Sequence, residues 1–407
     1  ADDGDFLLAP QLVGDLVVPG SCEYFTTPTP GAENVEGAQG LVAPVEFSAA
    51  AGFYDAPFDL VLSSATPDAE IRYTLDGTEP TATSGLVYSS PIHITTTTFV
   101  RAAAFKTGYI PSTSTTRTYI FLDDVLNQDG AGLPDNWGHA GADYAMDPDV
   151  VYDPAYASTI KDDLKSIPTL SLVMDFDDWF GGGGQGIYIK GEGSERACSA
   201  ELIYPDDRQG FQVNCAVQIQ GGTSTNRWKV DKLSMRLKFK RPYGPTKLQF
   251  PLFEDSPVTN FDTLIVDAMM NLSWLHPQSY QRRKAQYCRE QFVDDLQNAL
   301  GGYAPHGHYV HLYLNGLYWG LYWLHERPDE SFAESYFGGQ KEDYDVLKHT
   351  SNTVVNGTKD NYHEMLDIAA AGLASDEQYQ RIGQYLDIPN FIDYMLVNFY
   401  VGNTDWA

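Results

Sequence analysis

The feature that most constrains this chain lies between Tyr309 and Leu324, where two runs rich in Tyr, Trp, Leu and Val flank the dipeptide Asn315-Gly316. Asn-Gly tolerates positive φ at both central positions of a two-residue turn, so the segment predicts an antiparallel hairpin. From Ile167 onward strand-like and helix-like periodicities mix, which places that hairpin in an α+β domain over 167–407.

Upstream the pattern differs. Between Val45 and Phe121, the runs Phe58–Leu62, Ile71–Leu75 and Phe99–Phe105 each alternate with a period near two, and Asp76-Gly77-Thr78-Glu79-Pro80 breaks the chain between them. Short alternating runs parted by turns predict a small all-β, Ig-like sandwich over 45–121. Residues 1–44 carry Pro, Gly and Thr with little periodicity and read as an extended lead-in; 122–166, rich in Asp, Gly and Pro, read as a linker. The expected architecture is therefore multi-domain.

Charge narrows the partners. With 26 basic and 55 acidic residues the net charge is −29, which argues against a nucleic-acid partner, since phosphate binding requires a basic surface. No stretch reaches the roughly 20 apolar residues of a membrane-spanning helix. The absence of an initial Met or leader at Ala1 suggests a processed or trimmed start, part of a longer polypeptide.

Several motifs could carry chemistry. Asn127 to Asp135 sets oxygen ligands around glycines as calcium loops do, but without the distal Glu of an EF-hand; a solvated acidic turn fits it better. Cys198 and Cys215 flank the turn Pro205-Asp206-Asp207-Arg208, so a hairpin centred there sets them opposite each other, as a disulfide suited to an exported protein or as two buried thiols. Cys22 and Cys288 have no assigned partner. A strand ending at Gln220 runs into Gly221-Gly222-Thr223-Ser224, and Lys232 enters the next strand: a phosphate-cradling turn or an ordinary hairpin. Helical spacing marks 286–300, with Phe292, Leu296 and Ala299 on one face and Glu290, Asp294 and Asp295 near the other, and then Tyr362–Ala371, Asp376–Tyr385 and Ile388–Tyr400. The last carries Phe391, Met395 and Phe399 as a core stripe. It delivers Asn403-Thr404-Asp405-Trp406, where an Asn and an Asp two residues apart serve as magnesium ligands, as a base, or only as a polar cap. His306, His308 and His311 are spread over a turn and two strand faces and do not read as a zinc site.

Three resemblances follow. Tyr24 to Asn34 resembles the closing stretch of bacterial lamin-tail modules, so 1–44 reads as a remnant of one. Ile71-Arg72-Tyr73-Thr74-Leu75-Asp76-Gly77-Thr78-Glu79-Pro80, with Thr96 to Ala102, resembles the Ig-like module at the C-terminal end of chitobiases, usually a spacer. From Thr169 to Trp406 the chain resembles the CotH kinase family, named for a spore-coat protein. The matching pieces include Gln220-Gly221-Gly222-Thr223-Ser224, Lys232-Leu233-Ser234-Met235-Arg236-Leu237-Lys238-Phe239, Arg289-Glu290, Glu326-Arg327-Pro328-Asp329-Glu330, and Asn390 to Tyr394 leading to Gly402-Asn403-Thr404-Asp405-Trp406.

That resemblance implies a protein-kinase-like fold, with a β-rich lobe joined to a helical lobe, and transfer of the ATP γ-phosphoryl group to Ser or Thr of exported proteins with Mg²⁺. By it, Gly221, Gly222 and Lys232 would hold nucleotide phosphates, Glu290 would pair with Lys232, and Glu326 would sit near the interlobe hinge. Asp405 and Asn403 would be catalytic and metal-binding. The family's further acidic metal ligand falls downstream of the Asn-Thr-Asp-Trp turn, so the domain is expected to be truncated, C-terminally incomplete. Relatives show Lys-Lys-Ser-Phe where this chain has Lys-Leu-Ser-Met. The alternative is a non-catalytic structural or adhesive bacterial surface protein on the same scaffold; glycan binding would rest on the chitobiase-type module alone. All readings imply a secreted or cell-surface chain whose partner is an exported protein substrate or a surface protein.

Overall fold

The computed structural model describes the backbone of 7–13 and 16–25, and residues 37–137, 141–181, 186–190, 193–222, 225, 231–271, 273–274, 276–348 and 353–403. Within the expected lead-in, Leu7–Val13 and Leu16–Phe25 pair as an antiparallel hairpin. The stretch compared to a lamin tail lies almost wholly outside the described residues.

The Ig-like module is a sandwich. One five-stranded sheet runs in the order Gly52–Phe53, Thr115–Ile120, Thr98–Phe105, Glu70–Thr74, Leu86–Val87, and it is faced by the pairs Val45–Phe47/Leu62–Ser64 and Phe58–Leu60/Ile92–Ile94. Val100, Ala102 and Ala104 point into a core shared with Leu60, Ile71, Ile94 and Tyr119. Alternation would leave the opposite face wet, yet Arg101, Thr116 and Thr118 are buried as well. The reason is that this face lies against the second domain.

That second domain is a closed seven-stranded barrel. Around it run Thr169–Val173, Glu195–Ile203, Phe211–Ile219, Met235–Lys238, Thr263–Asp267, Leu317–Glu326 and Gly307–Leu314, the last pairing parallel with the first to complete the ring. Closure leaves no free strand edge within the ring. Leu170, Leu172, Val217, Met235, Leu237, Leu264, Val310, Leu312 and Leu324 fill the interior. The predicted hairpin turn is present, with Asn315 at φ 46° and Gly316 at φ 80°. Its tip serves the closure: Asn315 accepts from Met174 N at 3.0 Å and Trp179 Nε1 at 3.1 Å, and its Nδ2 donates to Met174 O at 2.7 Å.

Residues 122–166 correct the expectation of a linker. They form the short helices Leu122–Leu126, Pro148–Val151 and Ile160–Asp163 and fold onto the barrel. Trp137 and Tyr144 join the barrel core among Phe180, Tyr188 and Trp319, with Trp137 Nε1 donating to Tyr144 Oη at 2.8 Å. Gln128 brackets the backbone of Tyr318, donating to its O at 3.0 Å and accepting from its N at 2.9 Å. The acidic turn within this segment is locally satisfied, Asp129 Oδ1 accepting from Ala131 N at 2.9 Å.

The module is likewise docked rather than a spacer on a tether. Glu201, on the second barrel strand, accepts from Thr118 N at 2.8 Å and Arg117 Nη1 at 3.1 Å; Ser171 and Thr118 share a hydroxyl bond of 2.9 Å, and Asn214 donates to Ser114 O at 3.1 Å. Gly77 has φ +86°, and a Cβ there would stand 2.1 Å from Met174 O, so the Asp76–Pro80 turn needs glycine where it meets the barrel.

After the barrel the chain is helical as expected: Glu330–Phe337, Asp360–Ala370, Asp376–Ile382 and Ile388–Val401, with a small hairpin Val346–Lys348/Thr353–Asn356 between the first two. Two side-chain expectations fail here. Phe391 and Phe399 are 44% and 63% exposed, so their stripe is not core among the described residues. On Arg289–Ala299, Phe292 is exposed while Asp294 turns inward, its carboxyl pushed up to about 7 by burial and then by Glu290 and Asp295. Helical spacing says which residues share a face, not whether that face is covered.

Two outcomes follow. Asn315→Ala removes three hydrogen bonds and places a Cβ residue without a polar side chain at positive φ, and should cost about 2–4 kcal/mol in denaturant unfolding. Burial pushes the Glu201 carboxyl to about 7 from 4.5, against the pull of Arg117 and Thr118. A folded value above the unfolded one means that this group's contribution is full below pH 4.5 and is lost as pH rises through 7, by up to roughly 1.4 kcal/mol per unit. Glu201→Gln should flatten the fall in Tm between pH 5 and 8; a parallel fall in both proteins would refute this.

Candidate functional site

The expected site residues separate into two places. Lys232 lies in the bend before the strand Met235–Lys238, most of its side chain buried at the barrel mouth, with Nζ 4.9 Å from the centre of the Trp319 ring. Burial lowers its pKa, and the facing Asp143 opposes that shift. Glu290 belongs elsewhere, on the helix Arg289–Ala299, where its Oε1 is 2.8 Å from Arg289 Nε. The expected Lys232–Glu290 pair is thus not formed: among the described residues Glu290's ion-pair partner is its own neighbour, because the helix sits over Trp323 and His325 on the barrel's outer wall.

A different cation, Arg236, is tied to the Gly221-Gly222 turn. Alternation along Met235–Lys238 puts Met235 and Leu237 inside the barrel and Arg236 outside. The Arg236 guanidinium donates through Nε to Gln220 Oε1 at 2.9 Å, and also through Nη2. This ties the strand to the residue just before Gly221, whose φ of +120° favours glycine. From the far side comes Lys348, on the hairpin Val346–Lys348/Thr353–Asn356. Its pKa is lowered by burial first, then by the positive charges of Arg327 and Arg236, with Asp329 opposing. Arg327 stands where the chain leaves the last barrel strand for the helix Glu330–Phe337. Its Nε lies 3.1 Å from Asp329 Oδ2 but out of line for a hydrogen bond, and its buried Nη1 has no hydrogen-bond partner. A buried guanidinium nitrogen without an acceptor is costly, and two further cations beside it raise that cost. The arrangement favours an anion.

Glu326, expected near the hinge, is the residue before Arg327 and is buried. It accepts from His306 N at 2.9 Å and from Tyr336 Oη at 2.8 Å, and faces His306 Nδ1 at 3.1 Å; Tyr336 and Ser256 hydroxyls lie 3.0 Å apart. This network fastens the barrel's end to Glu330–Phe337 and fixes the direction in which Arg327 departs. Next to it a small cleft of about 20 Å³ is lined by Asp262, Thr263, Glu326, Arg327, Asp329 and Phe332.

Asn403 follows the left-handed cap Gly402 (φ +64°), its backbone N donating to Asn398 O at 3.0 Å and its Nδ2 to Asn398 Oδ1 at 2.8 Å. The helix that carries it packs on Arg289–Ala299. Asp405 lies outside the described residues, as do Thr223 and Ser224 of the turn. Among the described residues no group of three or more His, Cys, Asp or Glu side chains is placed to hold a metal ion. His311 is satisfied at both ring nitrogens, by Tyr318 Oη at 3.1 Å and Asp163 O at 3.0 Å. Cys198 and Cys215 face each other in register across two barrel strands, as expected, and are free buried thiols; the bond from Cys198 and burial push the Cys215 thiol up.

Sequence reasoning missed Arg236, Arg327 and Lys348. Alternation from Met235 marks Arg236 as outward-facing, but nothing local to Arg327 or Lys348 signals that they meet it.

No helix among the described residues is long and apolar enough to cross a membrane. No curated protein matches the chain. Residues 49–117 match the family described as chitobiase/beta-hexosaminidase C-terminal domain, a module typical of extracellular proteins, and 217–407 match that described as CotH kinase protein. The second match opens inside the third barrel strand, so the barrel begins upstream of it, at Thr169. The chain thus joins a module of the chitobiase/beta-hexosaminidase C-terminal family to a domain of the CotH kinase protein family.

Proposed function

We propose that this chain is a CotH-like ATP-dependent protein kinase, secreted or displayed at a bacterial cell surface, that transfers the γ-phosphoryl group to Ser or Thr of exported proteins. The observation that carries this reading is Arg236 tied to the residue before Gly221, with Arg327 and Lys348 within electrostatic reach of it or of each other. Cations that act on one another's charge, one with a buried guanidinium nitrogen lacking an acceptor, suit a polyphosphate whose oxygens accept those donors. The family match supports ATP as that polyphosphate and a divalent cation as its companion.

In this reading the glycines at 221 and 222 let the backbone approach the phosphates, and Arg327 directs its Nη1 at them. Arg236 holds Gln220 and thereby the turn. Lys348 adds charge from the helical side. Asn403 and Asp405 would hold Mg²⁺, which when bound neutralises charge developing on the transferring group. Asp405 would accept the proton of the attacking hydroxyl as the bond from phosphorus to the ADP oxygen breaks and the new phosphate ester forms. Lys232, under Asp143 and Trp319, is assigned to the barrel mouth and not to the phosphates.

Magnesium-ATP at 100 times its Kd should stabilise the protein by about 2.7 kcal/mol. Lys348→Ala should remove most of that rise in Tm while changing the apo Tm little, since Lys348 is only partly buried. An undiminished rise in Lys348→Ala refutes the site, and no rise in the parent protein at millimolar ATP favours a non-catalytic surface scaffold. Asp405→Ala should abolish transfer of labelled phosphate to a Ser/Thr peptide.

A further inference from the structure

The chain's acidity is uneven. Against 55 acidic and 26 basic residues overall, 268–289 holds Arg282, Arg283, Lys284 and Arg289 and not one Asp or Glu. Elsewhere cations sit in ion pairs: Lys161 with Asp123, Arg208 with Glu254, Lys247 with Asp262, Arg381 with Glu364. Here they do not. The segment leads from the end of the strand Thr263–Asp267 to the helix Arg289–Ala299 and carries the short helix Ser279–Arg282. Arg282 folds back, its Nη1 donating to His276 O and Pro277 O at 2.7 Å each, which braces the loop. Arg283 and Lys284 are exposed. Arg283 touches only an uncharged partner, Ser279 Oγ at 3.3 Å, and among the described residues neither it nor Lys284 has an acidic group within ion-pair distance. Within the same segment an aromatic shelf is open: Trp274 is 66% exposed and lies over Tyr287 with ring centres 4.8 Å apart, and Tyr280 is 51% exposed.

We propose that Arg283, Lys284 and the Trp274–Tyr287 pair form a docking surface for an acidic peptide segment of a partner protein. Local charge complementarity argues for it: a chain of net charge −29 repels acidic partners over most of its surface, so an unneutralised basic face beside exposed aromatics selects where such a segment lands. The aromatics supply apolar contact at low entropic cost, and the cations supply register and encounter rate. The phosphoryl-transfer reading is needed only for that partner to be the acceptor of the phosphoryl group; the binding stands without it.

The test is fluorescence anisotropy of a labelled random Glu/Tyr copolymer peptide on the whole chain, without nucleotide. The parent should bind it, more weakly at high salt. Exchanging Arg283→Glu and Lys284→Glu together should weaken binding about tenfold or more without lowering Tm, both residues being exposed. Trp274→Ala should weaken it in part, and Lys348→Ala should leave it intact while removing the ATP-dependent rise in Tm, which separates failure of this surface from failure of the nucleotide site. Undiminished binding in the charge-reversed double variant overturns the proposal, as does equal binding of a Lys/Tyr peptide. Equal or tighter binding of single-stranded DNA, lost in the same variant, also overturns it, because the face would then read polyanions and not peptide.

Discussion

Closure of the barrel is the constraint on which the rest depends. The strand Thr169–Val173 comes first and Gly307–Leu314 sixth in the chain, and their parallel pairing joins the two ends of the ring. A parallel pair cannot be made by a short turn, so the whole intervening chain is organised by that one contact. Asn315 locks it, because a hairpin tip that must adopt positive φ also carries the amide that satisfies Met174 from both sides. Once the ring is shut its interior is filled mainly by apolar side chains, and residues such as Ser171, Glu201 and Arg236 on alternate positions are turned outward, where the remaining parts of the protein must deal with them.

Two sectors of that outer wall have opposite chemistry. One, around Glu201, Ser171 and Asn214, is uncharged or acidic and is covered by the strands Thr98–Phe105 and Thr115–Ile120 of the Ig-like module. The other, around Arg236, is basic and is met by Arg327 and Lys348. The first resolves its buried carboxylate with Thr118 and Arg117. The second keeps a buried Arg327 nitrogen with no hydrogen-bond partner, although Asp329 lies 3.1 Å from its Nε. Structural seams in proteins satisfy their charges, whereas sites for mobile anions leave donors waiting, and this contrast within one barrel is why the phosphates are proposed at Arg236 and not at Lys232.

Much of this was legible in the sequence, for identifiable reasons. The Asn315-Gly316 turn, the in-register Cys198 and Cys215, and the helices Asp376–Ile382 and Ile388–Val401 are each specified by residues next to one another in the chain. The segment 122–166 misled because Asp, Gly and Pro report local backbone preference, and a few scattered side chains among many polar ones hold it in the core: Trp137 and Tyr144 in the barrel cluster, and Leu122, Val125 and Leu164 against Tyr313. Thr98–Phe105 read as one-sided for the same reason: Arg101 looks solvent-facing until a second domain covers it. The cation cluster draws on positions 236, 327 and 348, and no periodicity links such distant residues; they meet because barrel closure and the Glu326–His306–Tyr336 network bring the chain back to the same wall.

The seam between module and barrel has a mechanical meaning. Strands of the module lie flat on the barrel through Thr118, Ser171, Asn214 and the Gly77 turn, and the residues that join the two are themselves folded in. Tension along the chain between the Ig-like unit and the C-terminal helices therefore loads these lateral contacts in shear, in parallel, and does not first straighten a slack connector.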